Sequence, residues 1–448
     1  MTKSYVLLTR KQAAGSDTVP APTPTTPAVG RLLIASLAGT TIEFFDFYIY
    51  ATAAVLVFPT LFFPNADPTS AKLQSLATFA LAFLARPIGS AVFGHFGDRI
   101  GRKATLVAAL LTMGVSTVGI GLLPTYAVIG IWAPALLAVL RFGQGFGLGG
   151  EWGGAVLLAT ENAPPGKSAI YGMFPQLGAP LGFLCSTGAF LALDAALSDR
   201  QLFSWGWRLP FIASAVLVLV GLYVRLSLTE TPAFRRVIEN QERVRVPIVR
   251  VLSRHSVAVL LGTFAATATF VIFYLMTVFT LSWGTQKQGF TRPHFLVLQI
   301  IGVLFFAALI PLSAHLAQRW GTTAILIIAS AAIAVFGLTT APLFGSGTTA
   351  GTLSYLCLGL ALMGLTYGPL GTALAQLFPT EVRYTGASLS FNLAGIVGAS
   401  LAPNVATWLA TRYGLAAVGD YLSAAGAVSL AAALGIHWRA AAPARRRL

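Results

Sequence analysis

The chain has 448 residues, of which 56% are apolar and only 10% charged, whereas a soluble domain carries about 25% charged residues. The apolar excess runs along the whole length, which excludes a globular protein on a single anchor and describes a chain that crosses a membrane many times. The net charge of +15 would suit nucleic acid, but the placement of the basic residues argues for phosphate head groups as the nearest acidic partner.

Residues 1–30 are polar, with a Pro/Thr/Ala-rich tract over 19–28. Such a segment cannot bury a core. It also lacks the basic start and long apolar run of a cleaved signal peptide, so it is expected to be a disordered cytoplasmic tail. A spanning helix needs about 20 mainly apolar residues. Twelve segments meet that length, over 32–57, 73–96, 104–123, 126–151, 169–193, 209–226, 257–283, 295–317, 323–341, 353–378, 387–409 and 416–436. The polar stretch 229–255, with Arg235, Arg236, Arg243, Arg245, Arg250 and Arg254, splits them into two sets of six. The expected organisation is a six-helix half over 31–228, a cytoplasmic linker over 229–255, a second half over 256–438 and a tail over 439–448.

Orientation follows from Lys and Arg. With the N-terminus inside, the linker arginines, both tails and Arg99, Arg102, Lys103, Lys167, Arg225, Arg319 and Arg383 all fall on the inner side. The outer side keeps only Lys72, Arg200, Arg208, Lys287, Arg292 and Arg412. Both termini are therefore expected in the cytoplasm.

The halves echo each other. His95, Arg99 and Gly101 recur as His315, Arg319 and Gly321 at an offset of 220, which also maps Thr160-Glu161 onto Thr380-Glu381 and Gly178 onto Gly398. Repeated halves are how many secondary transporters are built, with substrate held between them near the midplane. Gln318 stands where the first copy has Asp98, so the second copy does not repeat the work of that acid.

Charges inside the bilayer are costly, and each needs a reason. Glu43 and Asp46 lie three apart in the first segment, on one helical face, with Tyr50 four residues further on. Arg86 is near the middle of the second segment. Two readings of this group stand side by side: a carboxylate in low-dielectric surroundings that loads a proton, or an acid that pairs with Arg86 and locks two helices. The fourth segment runs from Arg141 through Gln144 to Glu151 among many glycines, which permit close packing of helices. The glycines do not account for Arg141, whose guanidinium can grip a carboxylate with two parallel hydrogen bonds. Gln144, Gln176, Tyr274, Gln376 and Asn392 either line a cavity or bond between helices. Pro175, Pro180, Pro311 and Pro369 are expected to kink helices. Cys185 and Cys357 sit in apolar runs without metal spacing and read as packing residues.

The charged turn Gly94-His95-Phe96-Gly97-Asp98-Arg99-Ile100-Gly101-Arg102-Lys103 resembles the loop between the second and third helices of the major facilitator superfamily. Gly94, Asp98, Arg99, Gly101, Arg102 and Lys103 match its pattern. The blocks Glu43–Tyr48, Ala85–Gly89 and Gly145–Gly154 with Glu161, and Phe378–Ala387, look like the metabolite:proton symporter family within it. The resemblance implies an all-α fold of twelve transmembrane helices. It also implies uptake of a small metabolite, a carboxylate or zwitterion, by proton symport and alternating access. Asp98 would act as a gate against the eleventh helix, where a helix N-terminus favours an anion. Arg141 fits the family position associated with proton coupling. Proton coupling is accordingly expected at Glu43, Asp46 and Arg141, and substrate contacts at Arg86, Arg141, Gln144, Glu151, Tyr50, Gln176, Tyr274 and Asn392.

The expected partners are a small-molecule substrate, protons and the lipid bilayer. No cofactor, metal or nucleic acid is implied, and a monomer in a bacterial inner membrane is expected. A drug–proton antiporter is the second reading; against it, Pro180 falls one position late for the Gly-Pro motif of such exporters. A membrane enzyme would need a cluster of His, Cys or acids, and His95, His255, His294, His315 and His437 are scattered.

Overall fold

The computed structural model of the chain describes residues 26–100, 102–227 and 247–445; the side chains of 26–29, 31–32, 97–100, 102–103, 227 and 441–445 are outside the description. Every regular element among these residues is helical. The membrane-length helices are α1 (Thr26–Leu56), α2 (Pro68–Ile100), α3 (Arg102–Leu122), α4 (Trp132–Gly149, resuming as Trp152–Glu161), α5 (Ser168–Ala196) and α6 (Leu209–Ser227). The second set is α7 (Ser256–Tyr274, continuing to Lys287), α8 (Arg292–Trp320), α9 (Thr322–Phe336), α10 (Thr349–Gln376), α11 (Arg383–Gly395, continuing to Tyr413) and α12 (Leu415–Arg445). Ten stretches are long and apolar enough to span a membrane unaided. The remaining two helices are α1, whose centre carries Glu43 and Asp46, and α4, which is broken.

The structure departs from the sequence reading in three places. The fourth segment does not end at 151: α4 breaks at Gly150-Glu151 and runs on to Glu161, after a separate short turn at Tyr126–Ile129. The later part of the linker is helical over Pro247–Arg254, where Val251 is buried in a small cluster with Val259, Phe378, Val382 and Leu389. The seventh and eleventh helices each contain a π-helical turn, at Leu275–Phe279 and Ile396–Ser400, a wide turn that often marks functional sites. Helix α1 starts at Thr26, and α12 runs to Arg445. The disordered tail expected over 1–30 is corrected at residues 26–30, which are helical and open α1, while 1–25, Gly101 and the arginines Arg235, Arg236, Arg243 and Arg245 lie outside the described residues; of the gating residues, Asp98 and Arg99 fall in α2 and Arg102 and Lys103 in α3, with their side chains outside the description.

Packing bears the repeat out. A methyl group at Gly145 or Gly149 of α4 would collide with the backbone of Ala82 or Arg86 on α2. In the second half, a Cβ at Gly364 or Gly368 of α10 would lie 2.7 Å from Phe306 O and 2.8 Å from Ile310 O of α8. Each half therefore builds the same small-residue crossing, which lets two backbones touch. Gly178 of α5 packs on Thr40 of α1, and its repeat partner Gly398 of α11 packs on Thr267 of α7.

Asp67 opens α2. Its Oδ1 accepts from Thr69 N and Ser70 N, both at 3.1 Å, with Pro68 in the first helical position. The hydrogen bonds from Ser70 and Thr69 hold its carboxyl below the usual range. The stabilisation is thus present above the ordinary Asp pKa and fades as pH falls through the depressed folded value. Asp67→Ala is expected to lower the melting temperature at neutral pH, with the gap to the parent closing on acidification. Thermal melts across pH check this.

Candidate transport site

The polar core lies between α1, α2 and α4. Arg141 is fully buried. Its guanidinium stacks over three rings, with 4.0 Å to the Tyr50 centroid, 4.3 Å to Phe47 and 5.0 Å to Phe79. One nitrogen, Nη1, donates to Gln144 Oε1. Gln144 in turn donates to Asp46 O and to Thr117 Oγ1, each at 2.9 Å. Arg141 Nε and Nη2 have no hydrogen-bond partner.

Arg86, 3% exposed, lies 4.5 Å from the centroid of the same Phe47 and 4.8 Å from Phe83. Its Nε also lacks a partner. The expected pairing of Arg86 with Glu43 or Asp46 is not formed, and neither arginine makes an ion pair with any acid among the described residues. The reason is the aromatic packing: Phe47 stands between the two guanidiniums and holds each against a ring face. Cation–π contacts contribute up to about 2 kcal/mol each when desolvated, while burying an ion costs several kcal/mol. The rings alone do not offset two buried cations.

The acids of α1 point to different neighbours. Asp46 is fully buried beside Ser214 of α6 and Thr117 of α3, yet neither carboxylate oxygen has a well-formed hydrogen bond. Tyr50 turns from Asp46 to hydrogen-bond Thr78 Oγ1 at 2.6 Å. Glu43 lies within electrostatic reach of Glu151 and Arg225. Glu151 Oε1 also accepts from Arg225 Nη1 at 2.9 Å. Glu151, at the break in α4, is thus tied to Arg225 of α6 rather than to Arg141.

The second half closes the site. Tyr274, at the start of the α7 π turn, packs on Phe79 and Phe83 with centroids 5.6 and 5.4 Å away, within electrostatic reach of both arginines. Tyr48 meets Phe273 at 5.3 Å, and Phe306 leads on to Tyr367. Gln176 and Asn392 bond between elements. Gln176 accepts from Trp152 Nε1 at 3.0 Å and donates to Tyr367 O at 2.7 Å, and Asn392 donates to Gly149 O at 3.5 Å. Gln376 lies apart, accepting from Thr322.

Both ends of this pathway are tied across the halves. At the end from which the linker leaves, Tyr384 of α11 donates to Gly150 O at 2.7 Å, and Trp152 stacks on Phe391 at 3.6 Å. Gly94 sits against Tyr384 there, where a Cβ would be 3.5 Å away. At the opposite end Arg292 of α8 pairs with Asp194 and Asp199 of the first half. Contacts between the halves thus join them at both ends.

A family model described as "Sugar (and other) transporter" matches residues 32–248. The chain is 58% identical to the inner membrane metabolite transport protein YhjE of Escherichia coli K12, over 91% of this chain and 94% of that protein. It belongs to the major facilitator superfamily. Like its relatives, it is a metabolite transporter and not an enzyme. The shikimate transporter of the same organism is 36% identical, over 86% of this chain and 88% of that one. The solved structure of the proton:xylose symporter XylE superposes with a TM-score of 0.71 at 17% identity, covering 92% of this chain and 95% of that one. That likeness speaks for the facilitator fold.

Within this fold, sequence reasoning found Arg86, Arg141 and the acids but missed their surroundings. Phe47, Phe79 and Phe83 read as ordinary apolar positions. Arg225 read as a topology charge, although its place at the end of the apolar run 209–226 was a signal. The Tyr384–Gly150 bond is open to test. Tyr384→Phe removes about 1 kcal/mol, or about fivefold in the open fraction. In a background without Cys185 and Cys357, a Ser388→Cys thiol buried under this closure should label correspondingly faster from the linker end.

Proposed function

We propose that this transporter takes up a small organic carboxylate, or a zwitterion bearing a carboxylate, together with a proton. The observation that carries this reading is the pair of buried guanidiniums, Arg86 and Arg141, with no carboxylate partner among the described residues. Arg141 keeps Nε and Nη2 free, and Arg86 keeps Nε free. A substrate carboxylate would satisfy these donors with charge-assisted hydrogen bonds. The rings of Tyr50, Phe47, Phe79 and Phe83 would exclude water around it. Buried acids at Glu43 and Asp46 supply groups able to hold a proton, as symport requires. Gln144 positions Arg141, and Tyr274 covers the site from the second half. The name of the shikimate transporter, a relative, agrees with a carboxylate substrate.

In this reading the protein works in a bacterial inner membrane, as the name of its relative YhjE has it. Its linker end faces the cytoplasm, in keeping with the excess of Lys and Arg on that side. Substrate enters from the Arg292 end and leaves past the Tyr384–Gly150 closure.

Uptake into proteoliposomes under an imposed inward proton gradient tests the proposal. The panel is labelled mono-, di- and tricarboxylates, shikimate, proline and betaine. Accumulation of one compound, abolished by a protonophore, is the expected result. Accumulation of none, with proton-driven efflux of cationic dyes, would replace symport by the antiporter reading.

A further inference from the structure

At the linker end, a cavity of about 450 Å³ lies between the end of the Pro247–Arg254 helix, the starts of α7 and α9 and the ends of α10 and α12. Arg254, His255 and Arg439 line it, and no Asp or Glu does. Neither arginine makes an ion pair among the described residues. Two guanidiniums that share a cavity repel each other. An anion between them removes that cost and accepts charge-assisted hydrogen bonds from both.

Further donors converge on the same space. Ser256, Val257 and Ala258 open α7, and Thr323 lies in the first turn of α9. No side chain caps either helix start, so their first amides remain for an outside acceptor, and such helix starts favour anions. Gln376 Oε1 accepts from the Thr322 hydroxyl at 2.9 Å, which leaves the amide Nε2 as a donor beside the cavity.

The surroundings decide which anion fits. Val257 lines the cavity and is exposed, and Leu260 and Phe264 continue an exposed apolar stripe along α7 at helical spacing. Trp320 and Trp438, both exposed, stand near the ends of α8 and α12 on the same side, as side chains at head-group depth do. Basic cavities between helix ends at this depth suit acidic head groups. A small soluble anion would use the arginines and leave the stripe bare.

We infer that this cavity binds the phosphodiester of an anionic phospholipid between Arg254 and Arg439, with an acyl chain along Val257, Leu260 and Phe264. The site stands apart from the Arg141 cage and does not depend on the substrate or on proton coupling. Bound lipid joins the linker helix to the end of α12 across the start of α7. It clamps the second half at the linker end, and stability should report its binding.

Thermal unfolding of the purified full-length protein in detergent, at constant ionic strength, tests this. The additives are dioleoylphosphatidylglycerol, dioleoylphosphatidylcholine and inorganic phosphate. Phosphatidylglycerol should raise the melting temperature, because a ligand of the folded state stabilises it. In R254Q/R439Q, the concentration needed for the same shift should rise at least about tenfold, as expected for the loss of one or more charged hydrogen bonds. Both arginines are exposed, and each shift is read against the variant's own lipid-free melt. R250Q/R319Q removes the same charge from the same end, at exposed positions outside the cavity, and should respond as the parent does. Equal weakening in the two double variants would overturn the inference, because net charge alone would then explain binding. No shift with phosphatidylglycerol, or an equal shift with phosphatidylcholine, would also overturn it. Inorganic phosphate producing the whole shift would do so too, by making the occupant a soluble anion.

Discussion

Replacing Arg141 with lysine is expected to raise the half-saturation concentration for the transported compound at least about tenfold, and alanine about a hundredfold. A hydrogen bond to a charged group contributes about 1.5–3 kcal/mol, and each 1.4 kcal/mol is about a factor of ten. Lysine keeps the charge but not the planar fork, and it stacks poorly between rings. Arg141 lies over the rings of Tyr50 and Phe47 and is hydrogen-bonded to Gln144. An ammonium in that slot reaches neither the ring faces nor two oxygens at once. Initial-rate uptake at varied substrate concentration measures the effect, and an unchanged KM in Arg141→Lys would reduce Arg141 to a packing role. Arg86→Lys should show the same direction, since its guanidinium shares Phe47.

The second large effect is on stability. Gly145→Val and Gly364→Val are each expected to cost at least about 3 kcal/mol, the upper end of the usual penalty for overpacking. The obstacle at Gly145 is the backbone of Ala82, and at Gly364 it is Phe306 O, at 2.7 Å from a Cβ. A backbone carbonyl cannot rotate out of the way as a side chain can, so the helices must separate. The intrinsic helix preference for replacing glycine returns less than about 1 kcal/mol. Thermal unfolding in detergent should show both variants losing stability to a similar degree, because the two crossings are repeats of each other. A large loss at Gly145 with none at Gly364 would mean that the halves are packed on different principles.

The fold was open to reading because its signals are long and redundant. Membrane-length apolar runs reappear as the long helices, and the offset that carries Gly178 onto Gly398 reappears in the packing of α1 with α5 and of α7 with α11. The break in α4 was not open to reading. Gly149-Gly150 looked like part of one glycine-rich helix face, and only the second half's Tyr384 and Asn392 reveal what its freed carbonyls meet. The two π turns left no trace in hydropathy either. At the site, the rarity of intramembrane charge singled out Arg86, Arg141, Glu43 and Asp46. Which charge meets which was beyond reach. Glu43 and Asp46 share a helical face by spacing, yet three residues along α1 carry the chain from the Arg225 end to Ser214 and Thr117. Phe47, falling between two arginines, could not be told from a core phenylalanine.

The Trp152–Phe391 stack gives the protein a gauge of its own state. The rings are 3.6 Å apart and 5° from parallel, one from each half, and the indole N–H is held by Gln176. When the linker end opens, the indole loses its ring partner and gains water, so its emission should shift to the red. Trp152→Phe subtracts the signal of the other tryptophans. Light from one native residue would then report the cycle in real time, with no label attached.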